Sequence, residues 1–377
     1  MAENDIWTIK AALDWTVGYL ERKGDESPRI SAQWLLGEAC GMRRIDLYTH
    51  FDQPLTLEER DVLRGYVTRR GAGEPLQYIT GEVAFRHITV KVRSGVLIPR
   101  PETEVLVSEG LSCLPPAPRP RAADDGEAGV DAASSPVSEV PAEGAILGPE
   151  DSLHARALSS AESASPSIGA ADQVSPRSGG AGGGEQALLQ GGGTAESDRA
   201  VQLAGPLVAD LCTGSGCIAC SIAYEHPLAR VVATDIAPEA VALAGENASA
   251  LGLEGRVQVV ACDLGEGIDA ELMGCFDLVV SNPPYVPTAV LDDIPREVAA
   301  FEPALALDGG DDGLDVFRRL LPFCARALKP GGAFAFELHE TCLDEAARLA
   351  QVAGFTGVRV VDDLAGRPRV LVARRTL

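Results

Sequence analysis

Asn282-Pro283-Pro284-Tyr285, which follows the apolar run from Asp277 to Ser281, is the stretch of this chain best suited to chemistry. Neither proline can donate a backbone hydrogen bond, and Pro284 drives the residue before it out of helical geometry. The corner therefore offers carbonyls and rigidity but few donors. The Asn282 side-chain oxygen and the Pro283 carbonyl can together accept both N–H bonds of a planar amino group. A nitrogen of that kind is a poor nucleophile because its lone pair is delocalised, so holding it in line for attack is the useful contribution. Tyr285 can stack on the planar group. A plain turn is the bland alternative.

Three further signals sit where predicted strands end, and in open α/β sheets ligands bind beyond the carboxyl ends of strands. Asp210-Leu211-Cys212-Thr213-Gly214-Ser215-Gly216 leaves one strand for a helix, and its glycines let a ligand approach backbone amides. It is neither a full G-x-G-x-x-G nor a Walker loop with its lysine, so phosphate binding is not favoured. Alone it is weak evidence, since a plain tight turn would also explain it. Asp235 ends the next strand about twenty residues later, where a carboxylate suits two ribose hydroxyls, although capping the helix at Pro238 would also explain it. Asp263-Leu264 ends the third, with a carboxylate for an exocyclic amine and an apolar face for an adenine. Taken together they describe a pocket for an adenosine-type cofactor without phosphate-specific features. S-adenosylmethionine fits that better than a nicotinamide dinucleotide.

Behind these positions the chain divides by composition. Residues 1–75 read as helices, with Ile6, Ala11, Leu13, Trp15, Val17 and Leu20 forming one apolar stripe. All three tryptophans (Trp7, Trp15, Trp34) fall here and are expected to fill a small core. Residues 76–98 read as a β-hairpin linker broken by Gly81 and Gly95. From about residue 115 to 205 the sequence becomes Ala, Gly, Ser, Pro and Glu, too poor in large apolar groups to offset its ordering entropy, and a disordered insertion is expected. After it, strands alternate with helices, which implies a parallel, doubly wound α/β sheet whose last strand pairs antiparallel. Lys329-Pro330-Gly331-Gly332 is expected to be the turn between a helix and the strand at 333–337.

"DLCTGSG", "TDIAPEAVALAGENA" and "DLVVSNPPY" resemble the class I S-adenosylmethionine-dependent methyltransferases that carry N-P-P-Y. "GEPLQYITGEVAFRHITVKV", "LIPRPETEVLV" and "FEPALALDGGDDGLDVFRRL" narrow the resemblance to the peptide chain release factor N5-glutamine methyltransferases, the HemK-like family. The likeness spans the chain outside the inserted segment. N-P-P-Y is shared with DNA adenine methyltransferases; the Pro-Arg-Pro-Glu-Thr-Glu run is not. The resemblance implies a seven-stranded Rossmann-like sheet over 99–377 and an N-terminal helical domain that helps dock the protein substrate. It implies cofactor contacts at Cys212, Thr213, Gly214, Ser215, Gly216, Asp235, Asp263, Leu264 and Asn282, with Asn282, Pro283, Pro284 and Tyr285 receiving the substrate glutamine. Of these, Asn282, Pro283 and Tyr285 are the expected catalytic positions. The implied partner is a class-1 release factor with its Gly-Gly-Gln loop. Cys212 stands where the family usually has Gly, and the long insertion is not typical of it.

Bulk properties agree in outline. A formal charge of -23 disfavours loose binding to nucleic acid. Nine cysteines without regular spacing suit reduced thiols, and no apolar run approaches the roughly 20 residues that span a bilayer. A cytoplasmic monomer is expected. No metal is expected: Cys217-Ile218-Ala219-Cys220 lacks a second pair, and His339-Glu340 does not continue to H-E-x-x-H. The rival readings are an N-P-P-Y enzyme acting on a ribosomal-protein glutamine or on a nucleic-acid exocyclic amine, and a cofactor-binding module that has lost catalysis, which an intact N-P-P-Y disfavours.

Overall fold

The computed structural model describes residues 7–116 and 205–377. Ile6 and residues 117–204 of the expected insertion lie outside the described residues.

The chain opens with five helices: α1 (Ile9–Lys23), α2 (Pro28–Cys40), α3 (Arg44–Thr49), α4 (Leu57–Gly71) and α5 (Leu76–Thr80). Local chemistry sets their ends. Thr8 caps α1 by accepting from the Ala11 amide, and Thr56 and Glu59 close a reciprocal capping box on α4. Gly24, Gly41 and Gly81 stop α1, α2 and α5 in the left-handed region. The buried stripe of α1 is Ile9, Ala12, Leu13, Thr16 and Leu20, which follows the 3.6-residue period. Trp15 falls about 200° round the helix from Leu13, so it is 48 % exposed, and Trp34 is 39 % exposed. The expectation is thus corrected for these two: the core is aliphatic, with Leu13, Leu20, Leu35, Leu36, Leu47 and Leu63, and of the three tryptophans Trp7 packs against it. The rings are covered from outside instead: Trp15 stacks on Tyr19, and the Arg44 guanidinium lies over Trp34.

The segment expected as a hairpin begins with a helix, since residues 76–80 are α5. Strands β1 (Glu82–Phe85) and β2 (Ile88–Lys91) then pair antiparallel. Phe85, Ile88 and Val90 are buried in the same apolar layer as Ile218 and Leu278, so the hairpin is part of the main core. Buried Asn247 clamps its edge, accepting from the Lys91 amide at 2.8 Å and donating to the Lys91 carbonyl at 3.1 Å.

The remaining elements are α6 (Thr103–Cys113), β3 (Leu207–Leu211), α7 (Cys217–Glu225), β4 (Arg230–Asp235), α8 (Pro238–Ala250), β5 (Val257–Ala261), β6 (Phe276–Ser281), α9 (Arg296–Phe301), α10 (Asp315–Ala327), β7 (Leu328–Glu337), α11 (Leu343–Val352), β8 (Thr356–Asp362) and β9 (Pro368–Arg374). Seven strands form one sheet in the order β5-β4-β3-β6-β7-β9-β8. The sheet is parallel except for β9, which runs antiparallel to β7 and β8. Alternation along each strand feeds two apolar layers. Leu278 and Val280 face α6, α7 and α8, whereas Val279, Phe334 and Phe336 face α10 and α11. Lys329-Pro330-Gly331-Gly332 lies inside β7 and not in a turn. A register irregularity opposite Phe276 and Leu278 absorbs it, and a side chain at Gly332 would press on the Phe276 carbonyl at 2.9 Å. The order reverses at β3, which lies between β4 and β6. That reversal is the topological switch point where open α/β sheets bind ligands.

Candidate active site at the strand ends

One cavity opens beyond the carboxyl ends of β3, β4, β5 and β6. It brings together Cys212, Thr213, Gly214, Ser215, Asp235, Asp263, Leu264, Asn282 and Pro284 from the residues expected at the site. Gly216, Pro283 and Tyr285 do not line it.

The cofactor side is built largely from local bonds. Asp235 Oδ2 accepts from the Gly214 amide at 2.9 Å, and Oδ1 accepts from the Ala237 amide at 3.0 Å. The residue therefore shapes the helix entry, and its carboxylate also lines the cavity. Burial raises its pKa, and the amides of Ala237, Gly214 and Ile236 pull it back. Below it, buried Asp210 accepts from the Thr213 hydroxyl at 2.6 Å and from the Ala219 amide at 3.1 Å, which ties the loop to α7. Burial pushes its carboxyl up to about 7.

The two glycines of the loop do different things. A side chain at Gly214 (φ 56) would make only an ordinary contact with Val96 at 3.9 Å, and its backbone lines the cavity. Gly216 (φ 79) caps α7, and a side chain would stand 3.0 Å from Ala244 Cβ, so its smallness serves packing of α7 on α8. Cys212 holds φ 59, which accounts for a glycine preference at this place; a non-glycine residue there costs about 1–2 kcal/mol. Burial pushes its thiol up to about 12, so it stays neutral. Leu264 is also left-handed (φ 48), and its carbonyl accepts from the Thr234 hydroxyl at 2.6 Å. Asp263 Oδ2 is bonded to Arg319 at 2.7 Å, so an amine there meets a carboxylate shared with a guanidinium.

The acceptor side is held by residues remote in sequence. Asn282 Nδ2 donates to the Thr103 hydroxyl oxygen at 3.3 Å. Tyr285 turns its hydroxyl to Glu337 Oε1 at 3.2 Å and its ring toward His339, behind the cavity wall. Burial raises the pKa of Tyr285 and that of Glu337. For Glu337, the Thr103 and Tyr285 hydroxyls and the charge of Arg369 oppose the rise. Sequence reasoning does not single out Thr103, Glu337 or Arg100 as site residues. Arg100 lines the cavity and reaches buried Glu302 at 2.6 Å, joining the Pro-Arg-Pro-Glu run to the segment after α9. The Tyr78 hydroxyl donates to the Val96 carbonyl at 2.6 Å and steadies another part of the wall. These pairings leave no sequence signal except the composition of the run around Arg100 and Thr103.

The cavity fits an adenosine-type group without phosphates. Its two lining guanidiniums, Arg100 and Arg319, are each bonded to a carboxylate, while Ile236, Ala237 and Leu264 provide apolar surface beside Asp235. No group of acidic, His and Cys side chains among the described residues is arranged to hold a metal ion. No helix among them is long and apolar enough to cross a membrane.

Sequence comparison decides the lineage. A release factor glutamine methyltransferase of Geobacter sulfurreducens is 34% identical over 98% of this chain and 98% of its own. The chain belongs to the release factor glutamine methyltransferase family. Relatives of the same description from Rhodopirellula baltica and Moorella thermoacetica are 32% and 33% identical over 98% of this chain and 98% and 99% of theirs. The family model "PrmC N-terminal domain" matches residues 11–81, which run from the first turn of α1 through the end of α5, and "Methyltransferase small domain" matches 199–297. Membership of this family makes the chain an S-adenosylmethionine-dependent methyltransferase, and the cavity at the switch point is where that cofactor fits.

Proposed function

We infer that this protein transfers a methyl group from S-adenosylmethionine to the side-chain amide nitrogen (N5) of the glutamine in the Gly-Gly-Gln motif of class-1 release factors, and so modulates translation termination. The observation that carries the reading is the orientation of Asn282. With its nitrogen turned inward to Thr103, its oxygen is left to accept from a planar NH2. The Pro283 carbonyl takes the second N–H. Together they aim the nitrogen and restrict its rotation, which supplies rate by orientation. When bound, S-adenosylmethionine supplies the electrophilic methyl group. Asp235 would hold the ribose hydroxyls, Leu264 the adenine face, and the loop from Cys212 to Gly216 the chain between them. No strong general base is needed, because the amide nitrogen becomes acidic once methylated and loses its proton to solvent.

In this reading residues 1–75 dock the release factor, the hairpin region 76–98 joins them to the methyltransferase domain over 99–377, and the protein works as a cytoplasmic monomer that touches no nucleic acid. The test offers purified protein labelled S-adenosylmethionine with a class-1 release factor, its Gly-Gly-Gln to Gly-Gly-Ala variant, and DNA. Label should enter the native release factor alone. Labelling of both factors, or of DNA, would sink the assignment.

A further inference from the structure

The corner from Asn282 to Tyr285 has little means of anchoring itself. Pro283 and Pro284 carry no amide hydrogen, so neither can tie the chain to the fold by a backbone donor. Among the described residues, the first backbone donor bonded beyond them is the Val286 amide, which reaches the Leu307 carbonyl at 2.8 Å. The Val286 carbonyl accepts from the Gly309 amide at 2.8 Å, which makes a parallel bridge between Val286 and Asp308. Thr288 extends this seam: its amide donates to the Gly310 carbonyl at 2.9 Å and its hydroxyl to Asp308 Oδ1 at 2.7 Å. The exit of the corner is thus held by residues 307–310, which follow α9 in the chain.

Residues 307–313 do not line the cavity, yet Gly309, Gly310 and Gly313 are three of these seven. Gly309 and Gly313 are buried against the Tyr285 backbone. A side chain at Gly309 would stand 2.7 Å from Tyr285 Cα and 2.8 Å from its carbonyl carbon, and one at Gly313 would press on the Tyr285 carbonyl oxygen. Gly313 also needs its left-handed backbone (φ 75), whereas Gly309 is not among the glycines of positive φ. Close approach is therefore what Gly309 provides. A main chain cannot swing aside as a long side chain can, so a methyl group at 309 must displace Tyr285. With two stiff prolines before Tyr285, that displacement passes to the Pro283 carbonyl and to Asn282.

We propose that Gly309 and Gly313 are positioning residues which, with Asp308, brace the Tyr285 backbone and so hold the Asn282 amide and the Pro283 carbonyl where the substrate nitrogen must lie. This rests on the acceptor role given to that corner above. The brace gives the run "LDGGDDG" (Leu307 to Gly313) a part in the reaction although it touches neither substrate nor cofactor.

Gly309→Ala gives the test, with kcat and KM for the release factor and the dissociation constant for S-adenosylmethionine measured on folded protein. It should lower kcat by about 10–100-fold, the cost of misplacing a reacting group by about 1 Å, while KM and cofactor affinity stay within about threefold. A variant that is merely less stable keeps its kcat once the folded fraction is counted. In an Asn282→Ala background, where the braced amide is already gone, Gly309→Ala should cost at most about threefold more, because residues acting as one unit do not add. Asp308→Ala removes the acceptor of Thr288 and Gly310 at an exposed position without crowding Tyr285. It should lower kcat by about three- to tenfold, the scale of one hydrogen bond, and it carries the test if Gly309→Ala does not fold. Unchanged kcat in the folded variants, a loss carried in full into the Asn282→Ala background, or cofactor affinity falling in parallel with kcat overturns the inference. A native enzyme that does not label the release factor at all removes the substrate reading instead, which separates the two failures.

Discussion

The two halves of the cavity are held in opposite ways. On the cofactor half, the loop after β3 and the end of β4 are stabilised by bonds that are short in sequence or run between adjacent strands: Thr213 to Asp210, Ala219 to Asp210, Ala237 to Asp235. On the acceptor half, Asn282 reaches Thr103 across 179 positions and Tyr285 reaches Glu337 across 52. The first half is a backbone shape that a short run of residues can make by itself. The second is a set of side-chain orientations that exists only when α6, β6 and β7 are packed together. A surface made of backbone shape can thus be local, while one made of side-chain orientations is distributed.

That contrast can be broken at several points. The largest effect belongs to Asn282→Ala, which should cost about 10²–10³ in kcat, the usual loss for a preorganised polar contact on the reacting group. Calorimetry should find cofactor binding partly kept; unaffected turnover would refute the role of the amide.

Next comes the pH dependence of stability carried by Asp210. Its carboxyl is raised to about 7, so between about pH 4 and pH 7 the folded state keeps a proton that the unfolded chain has released. Stability from this group therefore falls as pH rises through that window, by at most about 1.4 kcal/mol per pH unit. Asp210→Asn should flatten the decline in chemical denaturation series run at several pH values. An unchanged slope would mean that the native carboxyl is already ionised.

Asp235→Ala removes the acceptor of the Gly214 and Ala237 amides and the expected ribose contact together. It should weaken cofactor binding by about 10–100-fold, the scale of one hydrogen bond to a charged group, while kcat at saturating cofactor changes little. A fall in kcat with unchanged affinity would reverse the assignment of the two halves.

The smallest effects test the loop. Gly216→Ala should lower stability by about 1–2 kcal/mol, from its left-handed backbone and the 3.0 Å approach to Ala244, and thermal melts would show it. Cys212→Gly should raise stability by about 0.5–1 kcal/mol through relief of its positive φ, less the entropy that glycine loses on folding. If Cys212→Gly destabilises instead, the cysteine side chain contributes packing that outweighs the strain.

The local half is legible in the sequence alone. The glycine turn, the strand-end carboxylates and the proline corner are each a few adjacent residues whose stereochemistry has little choice. Sheet class and the antiparallel last strand follow from the alternation of strands and helices. Sequence misleads where size or composition stands in for geometry. The bulk of Trp15 and Trp34 argues for the core, but helical phase puts both at the surface. Lys329-Pro330-Gly331-Gly332 has turn composition, yet it sits in β7 because the partner strand tolerates an irregular register there. Residues 76–80 are rich in branched and aromatic groups and suggest a strand, and a left-handed stop at Gly81 closes them as a helix.

What the sequence determined by itself is the chemistry available: a donor-poor corner for a planar amino group, beside acidic and glycine-rich strand ends for an adenosine. Those properties follow from covalent structure and from bonds a few residues long. Which way Asn282 points was decided only by the tertiary structure. An amide has two nearly equivalent orientations, and the one seen here, with the nitrogen on the Thr103 hydroxyl, exists only because the fold brings α6 against the end of β6.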